Sequence, residues 1–330
     1  MVIFKGYDGE EVIMKAMVIT AFGGPEVFKE QDVPKPKPGE SDVLVKVYAT
    51  SVNPVDYKIR QAGSWAGVKP PAIIGYDVSG VVEAAGSRVK DFKVGDEVYY
   101  TPEISGRQGS YAEYHVAHEA IVARKPSNLN HREAASIPLA GCTAFEALVD
   151  VADIKSGESV LIQAGAGGVG SLAIQIAKAL GLFVFATCGS YNKELVKQLG
   201  ADRVIDYRAE DFVAVILKET AQKGVDVVFD TAGGETLLKS VDAVKHSGRI
   251  VSIVSSNINL DAAKIKNVSV NYLFMKRERS KLDALRALIE KGRIKPVIDS
   301  VMPLRDVALA QQRLEKGGVR GKIVLKVVED

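Results

Sequence analysis

The chain has little of what builds crosslinks, metal centres or membrane spans. Its two cysteines, Cys142 and Cys188, lie in apolar stretches of a 330-residue sequence. They supply no disulfide framework and suit a reducing, cytoplasmic setting. Only four histidines occur, and His115 and His118 fall in a predicted strand and turn rather than on one helix face. They read as ordinary residues, not as a metal pair. No apolar run approaches the ~20 residues of a membrane span. A formal charge of +2, with both signs interspersed, gives no ground for nucleic-acid or membrane binding. The one basic cluster, Lys276-Arg277-Glu278-Arg279, reads as a solvated turn. The first 13 residues lack a signal-peptide core and read as an extension, since strand character begins at Lys15–Ile19.

Glycine is plentiful, with 30 residues, and 47% of the chain is apolar. The most telling stretch is Ser159–Gly170. A short apolar run, Val160–Ile162, meets a glycine cluster and then a small-residue amphipathic pattern. Gly165, Gly167 and Gly170 satisfy G-x-G-x-x-G between a strand and a helix, the context of a dinucleotide site. The first glycine suits a tight turn, and the second lets backbone (Ala166, Gly167, Gly168, Val169) approach a pyrophosphate. The third allows close strand–helix packing, with N–H groups free at the helix start.

The first 130 residues are β-rich, with strand-like runs at 16–20, 43–50, 78–84, 97–100 and 111–116. Helical periodicity covers 131–150. Strands at 159–164, 182–187, 203–206, 225–230 and 248–254 then alternate with helices at 169–180, 191–199, 209–222 and 235–245. A sixth strand is expected over Val268–Met275. Continuous Val/Ile/Phe strands separated by helices predict a doubly wound parallel sheet of the Rossmann type. The tail is too short for a domain of its own, so it is expected to return to the β-rich part. The α/β chain therefore divides into a catalytic domain, 1–130, a nucleotide-binding domain, 131–275, and a return segment, 276–330. A ligand cleft is expected between the two domains.

An NAD-specific site usually carries Asp or Glu at the end of the second strand, about 20 residues past the first glycine. Here that strand ends Ala186–Lys193 without an acid. Ser190 and Lys193 then read as a clamp for a 2′-phosphate, which favours NADPH. Trp65 could wall the substrate side, or anchor core.

This order of elements resembles the medium-chain dehydrogenase/reductase superfamily, with a GroES-like domain, an inserted Rossmann domain and a C-terminal return. Ser51–Lys58, Gly75–Gly80, Gly95–Val98, Ala164–Gly170 and Gly321–Leu325 are similar to its zinc-free quinone oxidoreductase (zeta-crystallin) and enone oxidoreductase group. Zinc alcohol dehydrogenases of the superfamily carry Cys and Gly-His-Glu where this chain has Asn53 and Gly75-Tyr76-Asp77, and no cysteine quartet lies near 95–115. The resemblance therefore implies no metal.

It also implies NADPH-dependent hydride transfer to a quinone or α,β-unsaturated carbonyl, a cytoplasmic location, and a homodimer joined through the Val268–Met275 edge. Asn53 would lie by the nicotinamide ribose and carboxamide. Lys58, or its neighbour Tyr57, would face the substrate. Thr143 would lie by the phosphates and Tyr207 by the adenosine ribose. Thr231, Ala232, Ile253, Val254, Ser255, Phe274 and Met275 would line the nicotinamide, although Ile253 and Phe274 read equally well as core. Gly321 and Lys322 would close over it. Tyr272 and Lys276 mimic a short-chain dehydrogenase pair, but on a predicted strand that spacing holds them too far apart.

Other readings stay open. The same hydride step could reduce an enoyl thioester or a haloacrylate, and the fold could serve as a low-turnover NADPH-binding structural protein. A zinc-free alcohol dehydrogenase is disfavoured, since no base or Lewis acid is evident.

Overall fold

The computed structural model describes residues 12–105, 108–255 and 260–328. The expected extension lies outside them except for Val12 and Ile13. The first strands are β1 (Ile13–Ile19), β2 (Phe28–Pro34) and β3 (Asp42–Ser51), followed by α1 (Pro54–Ala62). Next come β4 (Ala72–Ile73), β5 (Val78–Ala85), β6 (Glu97–Tyr100), β7 (Tyr114–His118) and β8 (Ala123–Arg124). The first strand starts earlier than expected because Ile13 and Met14 pair with Pro34 and Val33, and Met14 is core.

The expected helix over 131–150 is three pieces: α2 (His131–Ala135), α3 (Pro138–Phe145) and a wider π turn over Glu146–Val151. Pro138 sets the break, since proline suits a first helical turn and not a helix interior.

The alternating part holds β9 (Ser159–Ile162), α4 (Gly168–Ala179), β10 (Phe183–Cys188), α5 (Lys193–Gln198), β11 (Arg203–Asp206) and α6 (Phe212–Glu219). It continues with β12 (Val225–Asp230), α7 (Gly234–Ala243), β13 (Val244–Ser252), α8 (Leu260–Ile265) and β14 (Ser269–Tyr272). The tail supplies α9 (Arg279–Glu290), β15 (Ile298–Pro303), α10 (Val307–Lys316) and β16 (Lys322–Lys326).

Six parallel strands run in the order β11-β10-β9-β12-β13-β14. The chain reverses direction of travel at β9, so a crevice opens at the C-terminal ends of β9 and its neighbours. Val160, Leu161 and Ile162 are fully buried there, as a strand covered on both faces requires.

The return is visible in the second sheet, β15-β16-β3-β5-β6-β8, where β16 runs antiparallel to β3. One apolar core passes from Val45, Val98 and Tyr99 through Ala140 and Leu148 to Val160 and Ile174, with α3 between the sheets. The sixth strand is shorter than expected. After Tyr272, the Leu273 N–H still bonds the Ser252 carbonyl at 2.8 Å, but Leu273 and Met275 turn into the core. Tyr272 and Lys276 therefore do not share a strand.

A Cβ at Gly170 would fall inside the Ala164 carbonyl and 2.9 Å from Gly165 Cα, both backbone. Gly170→Ala should push α4 off β9 and lower stability by about 1–3 kcal/mol, read by denaturant unfolding together with loss of coenzyme binding.

Candidate functional site

The glycine loop is held by its neighbours. Thr187 Oγ1 donates to Gln163 Oε1 at 2.7 Å and accepts from the Ala164 N–H at 3.0 Å, and the Gly165 N–H bonds the Thr187 carbonyl at 2.7 Å. The left-handed residue of the turn is Ala164 (φ 52), not the first glycine. Gly165 is required for space instead, since a Cβ there would meet Ile174 Cδ1 at 3.0 Å and Ala186 Cβ at 3.1 Å. At Gly167 a Cβ would touch only the Ala164 carbonyl, at 3.4 Å, so its outer side is open. Gly167 caps α4 with no side-chain hydrogen bond. The parallel bridge to Gly321 engages the Gly168 side of the loop, and the N–H groups of Val169 and Gly170 are left for an anion at the helix start.

At the adenosine end the structure brings Ser190, Lys193 and Tyr207 together, and adds a group the sequence reading missed. Asp206 ends β11 opposite Cys188. Its carboxylate takes a hydrogen bond from Ser190 and lies 3.5 Å from Lys193 Nζ. The Ser190 bond, outweighing burial and helped by Lys193, holds its pKa below the usual carboxylate range. The second strand thus has no acid at its end, as read, yet the adjacent strand delivers one to the same place. Tyr207 is exposed beside Gly189, with the Arg208 guanidinium 5.7 Å from its ring.

The loops after β12 and β13 share another unforeseen carboxylate. Buried Asp230 accepts from the Gly233 N–H at 2.9 Å and the Ser252 hydroxyl at 2.7 Å. Ser252 Oγ in turn accepts from the Val254 and Ser255 N–H groups, both at 3.3 Å. Ala232 is exposed in the same turn, and Thr231 Oγ1 donates to the Gln163 carbonyl at 2.7 Å. Thr143 Oγ1 donates to the Leu139 carbonyl at 2.7 Å. Ile253 packs partly against the core, and Met275, 8% exposed, belongs to it. Phe274 is the opposite case, exposed and edge-on to Trp65 at 6.4 Å. These two rings face each other from the two halves of the chain.

Beneath lies a buried polar cluster. Asp77 Oδ2 accepts from the Asn53 amide at 2.7 Å and the Ser51 hydroxyl at 2.5 Å, and Oδ1 accepts from the Leu139 N–H at 2.8 Å. The Lys322 ammonium bonds the Val52 carbonyl at 2.9 Å, Asp77 at 3.2 Å and Asn53 Oδ1. The Lys322 stem lies against Gly168 of the glycine loop, while Gly321 bridges to Gly167 and donates to the Ala166 carbonyl at 2.8 Å. Asn53 also caps α1, with Asp56 reciprocating at 2.7 Å. Lys58 is exposed on α1, and none of the hydrogen bonds or ion pairs above includes it. Tyr57 is half-buried, its pKa raised by burial and by the charge of Glu315. The structure thus gathers Asn53 and Lys322 but leaves Lys58 and Tyr57 outside their cluster. A surface groove of about 450 Å³ between Val18, Val33, Val68 and Ile73 includes none of these candidates.

The alcohol dehydrogenase GroES-like domain family matches residues 39–127, and the zinc-binding dehydrogenase family matches residues 199–325. Human quinone oxidoreductase is 36% identical over 326 residues, spanning 95% of this chain and 98% of its own. The chain belongs to the medium-chain dehydrogenase/reductase family. The Arabidopsis thaliana NADPH-dependent alkenal/one oxidoreductase, chloroplastic, is 39% identical over 94% of this chain and 79% of its own. The solved quinone oxidoreductase from Coxiella burnetii superimposes with a TM-score of 0.88 at 36% identity, over 96% of this chain and 100% of that one.

Membership of this dehydrogenase/reductase family implies a nicotinamide coenzyme, and the open, uncapped glycine loop fits its pyrophosphate. Zinc does not fit the donors present. Asn53 and Asp77 are consumed by each other and by Lys322, an ammonium that no metal ion would tolerate at that distance. His115 is bonded to Tyr100 and the Gln108 carbonyl, and His118 Nδ1 to the Ala120 N–H. Among the described residues no group of three or more His, Cys, Asp or Glu could hold a metal, and no helix is long and apolar enough to cross a membrane.

Asp56 under Asn53 offers a pH test. Burial raises its pKa from 3.8 to about 7, against the bonds from Tyr111 and the Asn53 N–H. The folded state then holds this proton to a higher pH than the unfolded state. Its contribution to stability is full below the unfolded value of 3.8 and is lost as pH rises towards about 7. Asp56→Asn should flatten the fall in unfolding free energy over that window, and identical slopes in the two proteins would show that Asp56 does not titrate there.

Proposed function

We propose that this protein is an NADPH-dependent reductase that reduces a quinone or an α,β-unsaturated carbonyl compound without a metal. The observation that carries the reading is the closed Asn53–Asp77–Lys322 cluster, which fills the two stretches where zinc-dependent relatives carry ligands. It lies directly below the glycine loop that Gly321 touches. Bound NADPH supplies a hydride from nicotinamide C4. The chain's own part is to seat the coenzyme, fix the acceptor beside it and keep water away.

In this reading the Val169 and Gly170 N–H groups take the pyrophosphate, and Thr143 lies alongside. Ser190 and Lys193 take the 2′-phosphate, oriented by Asp206, with Tyr207 against the ribose. Lys193 offsets the Asp206 charge, and exposed Arg208 adds a second cation at that end. Asn53, Thr231, Ala232 and Ile253–Ser255 surround the nicotinamide side, with Trp65 and Phe274 as the apolar wall. Residues 1–130 with 276–330 form the catalytic domain, and 131–275 the coenzyme domain. We further assign a homodimer joined along β14, which pairs only with β13 among the described residues, and a cytoplasmic setting, in keeping with two buried free thiols.

NADPH oxidation with 9,10-phenanthrenequinone or 1-octen-3-one tests the activity, and tight NADPH binding without turnover would overturn it. Lys193→Ala removes one charge-assisted contact worth about 1.5–3 kcal/mol. The KM for NADPH should rise roughly 10- to 100-fold while that for NADH barely moves. Equal changes would remove the 2′-phosphate assignment.

A further inference from the structure

The segment that reads as a solvated turn, Lys276–Arg279, is instead tied down along its length. The Arg279 guanidinium lies 4.9 Å from the Phe92 ring and bonds Asp91 at 2.5 Å. Arg277 donates from Nε to the Pro102 carbonyl at 2.6 Å. Lys276 is held by its backbone. Its N–H donates to Glu146 Oε2 at 2.9 Å, and its carbonyl accepts from Lys281 Nζ at 2.9 Å. The same two side chains bond each other at 2.6 Å. Glu146 is 6% exposed and Lys281 is 3% exposed. The first comes from the π turn that follows α3, the second from the first turn of α9.

A buried ion pair is a poor source of stability, because packed apolar side chains of similar size do as well or better. What it supplies here is direction. The stretch just before it carries Phe274, which is 53% exposed and meets Trp65, 57% exposed, edge-on with ring centres 6.4 Å apart. Leu273 and Met275 turn into the core on either side, so Phe274 faces out. Apolar contact alone is non-directional and would let the stretch slide. Hydrogen bonds fix it at both ends. Upstream the Leu273 N–H bonds the Ser252 carbonyl at 2.8 Å, and downstream both Lys276 backbone groups bond the Glu146–Lys281 pair.

We propose that Glu146 and Lys281 are positioning residues for the acceptor: by gripping Lys276 they hold the Phe274 ring across the cleft from Trp65. This rests on the reductase reading above, in which the two rings wall the acceptor. The pair acts through Phe274 and not on the reacting atoms. A ring fixed before the acceptor arrives loses little freedom on binding, and affinity gains from that preorganisation. Releasing Lys276 therefore weakens acceptor binding. The coenzyme's own contacts, on the glycine loop and at the Ser190 end, stay as they are.

The test compares an apolar replacement of the pair with loss of the ring itself. The double variant Glu146→Leu/Lys281→Met strands no lone charge and should stay folded. Its KM for 9,10-phenanthrenequinone should rise about 3- to 10-fold, with kcat and NADPH affinity within about twofold of the unmodified protein. Phe274→Ala should do the same, and adding it to the double variant should change KM little further, since both act on one contact. Trp65 is the only tryptophan, so its fluorescence reports that contact directly. Acrylamide should quench it more strongly in the double variant and in Phe274→Ala, to a similar degree. A second double variant, Glu146→Gln/Lys281→Met, keeps an acceptor for the Lys276 N–H and should fall between, and it decides by the same readings if the first does not fold. Unchanged KM or unchanged quenching in the folded double variant, or KM effects that multiply with those of Phe274→Ala, would overturn the positioning role. If the unmodified protein turned over no quinone or enone, the reductase reading would fall. The quenching comparison would still decide whether the pair holds Phe274 to Trp65.

Discussion

The buried carboxylate of Asp77 ties the site together. It collects a lysine ammonium, an amide, a hydroxyl and a backbone N–H from three separate parts of the chain. A charge in that position is tolerated only because it is paired and hydrogen-bonded, and losing one partner of such a pair costs about 3–5 kcal/mol. Each donor carries its own segment into register. Lys322 places β16, and with it Gly321 against the glycine loop. Asn53 starts α1. Leu139 lies in the first turn of α3, the helix that both sheets share as core. One electrostatic knot thus ties the start of α3 to the catalytic half, beside the apolar core that runs between the sheets.

The same device recurs at the rim. Asp206 and Asp230 each end a strand of the parallel sheet and each turns its carboxylate onto the loops that follow. Asp230 organises the Thr231–Gly234 turn and, through Ser252, the start of the next loop. Asp206 orients Ser190 and Lys193. Both stand at the carboxyl end of the sheet, where ligands sit in doubly wound folds. Backbone N–H groups at the start of these loops are held by the fixed carboxylates or by Ser252.

How much of this could be read from residues alone depended on the distance over which the signal acts. The glycine spacing, the continuous apolar strands and the helical periods are local, and six parallel strands follow from them directly. Proline at 138 is equally local, and it splits the helix that the periodicity predicts. Met275 and Phe274 read as neighbours on one lining, but one is buried and the other exposed, since burial alternates from Leu273 to Lys276. Arg277 lay in a run of charge, and charge runs usually face water. Nothing in its neighbours announces the carbonyl of Pro102, which is far away in the chain.

Composition and pattern by themselves determined the sheet, the order of its strands' connections and the place of the phosphate loop, because periodicity and glycine sterics are properties of adjacent residues. Tertiary structure alone decided that the Lys322 ammonium lands on Asp77, that an acid from β11 reaches Ser190, and that Trp65 meets Phe274. Each of these joins side chains that are remote in sequence, and a charge takes its meaning from the partner that burial forces upon it.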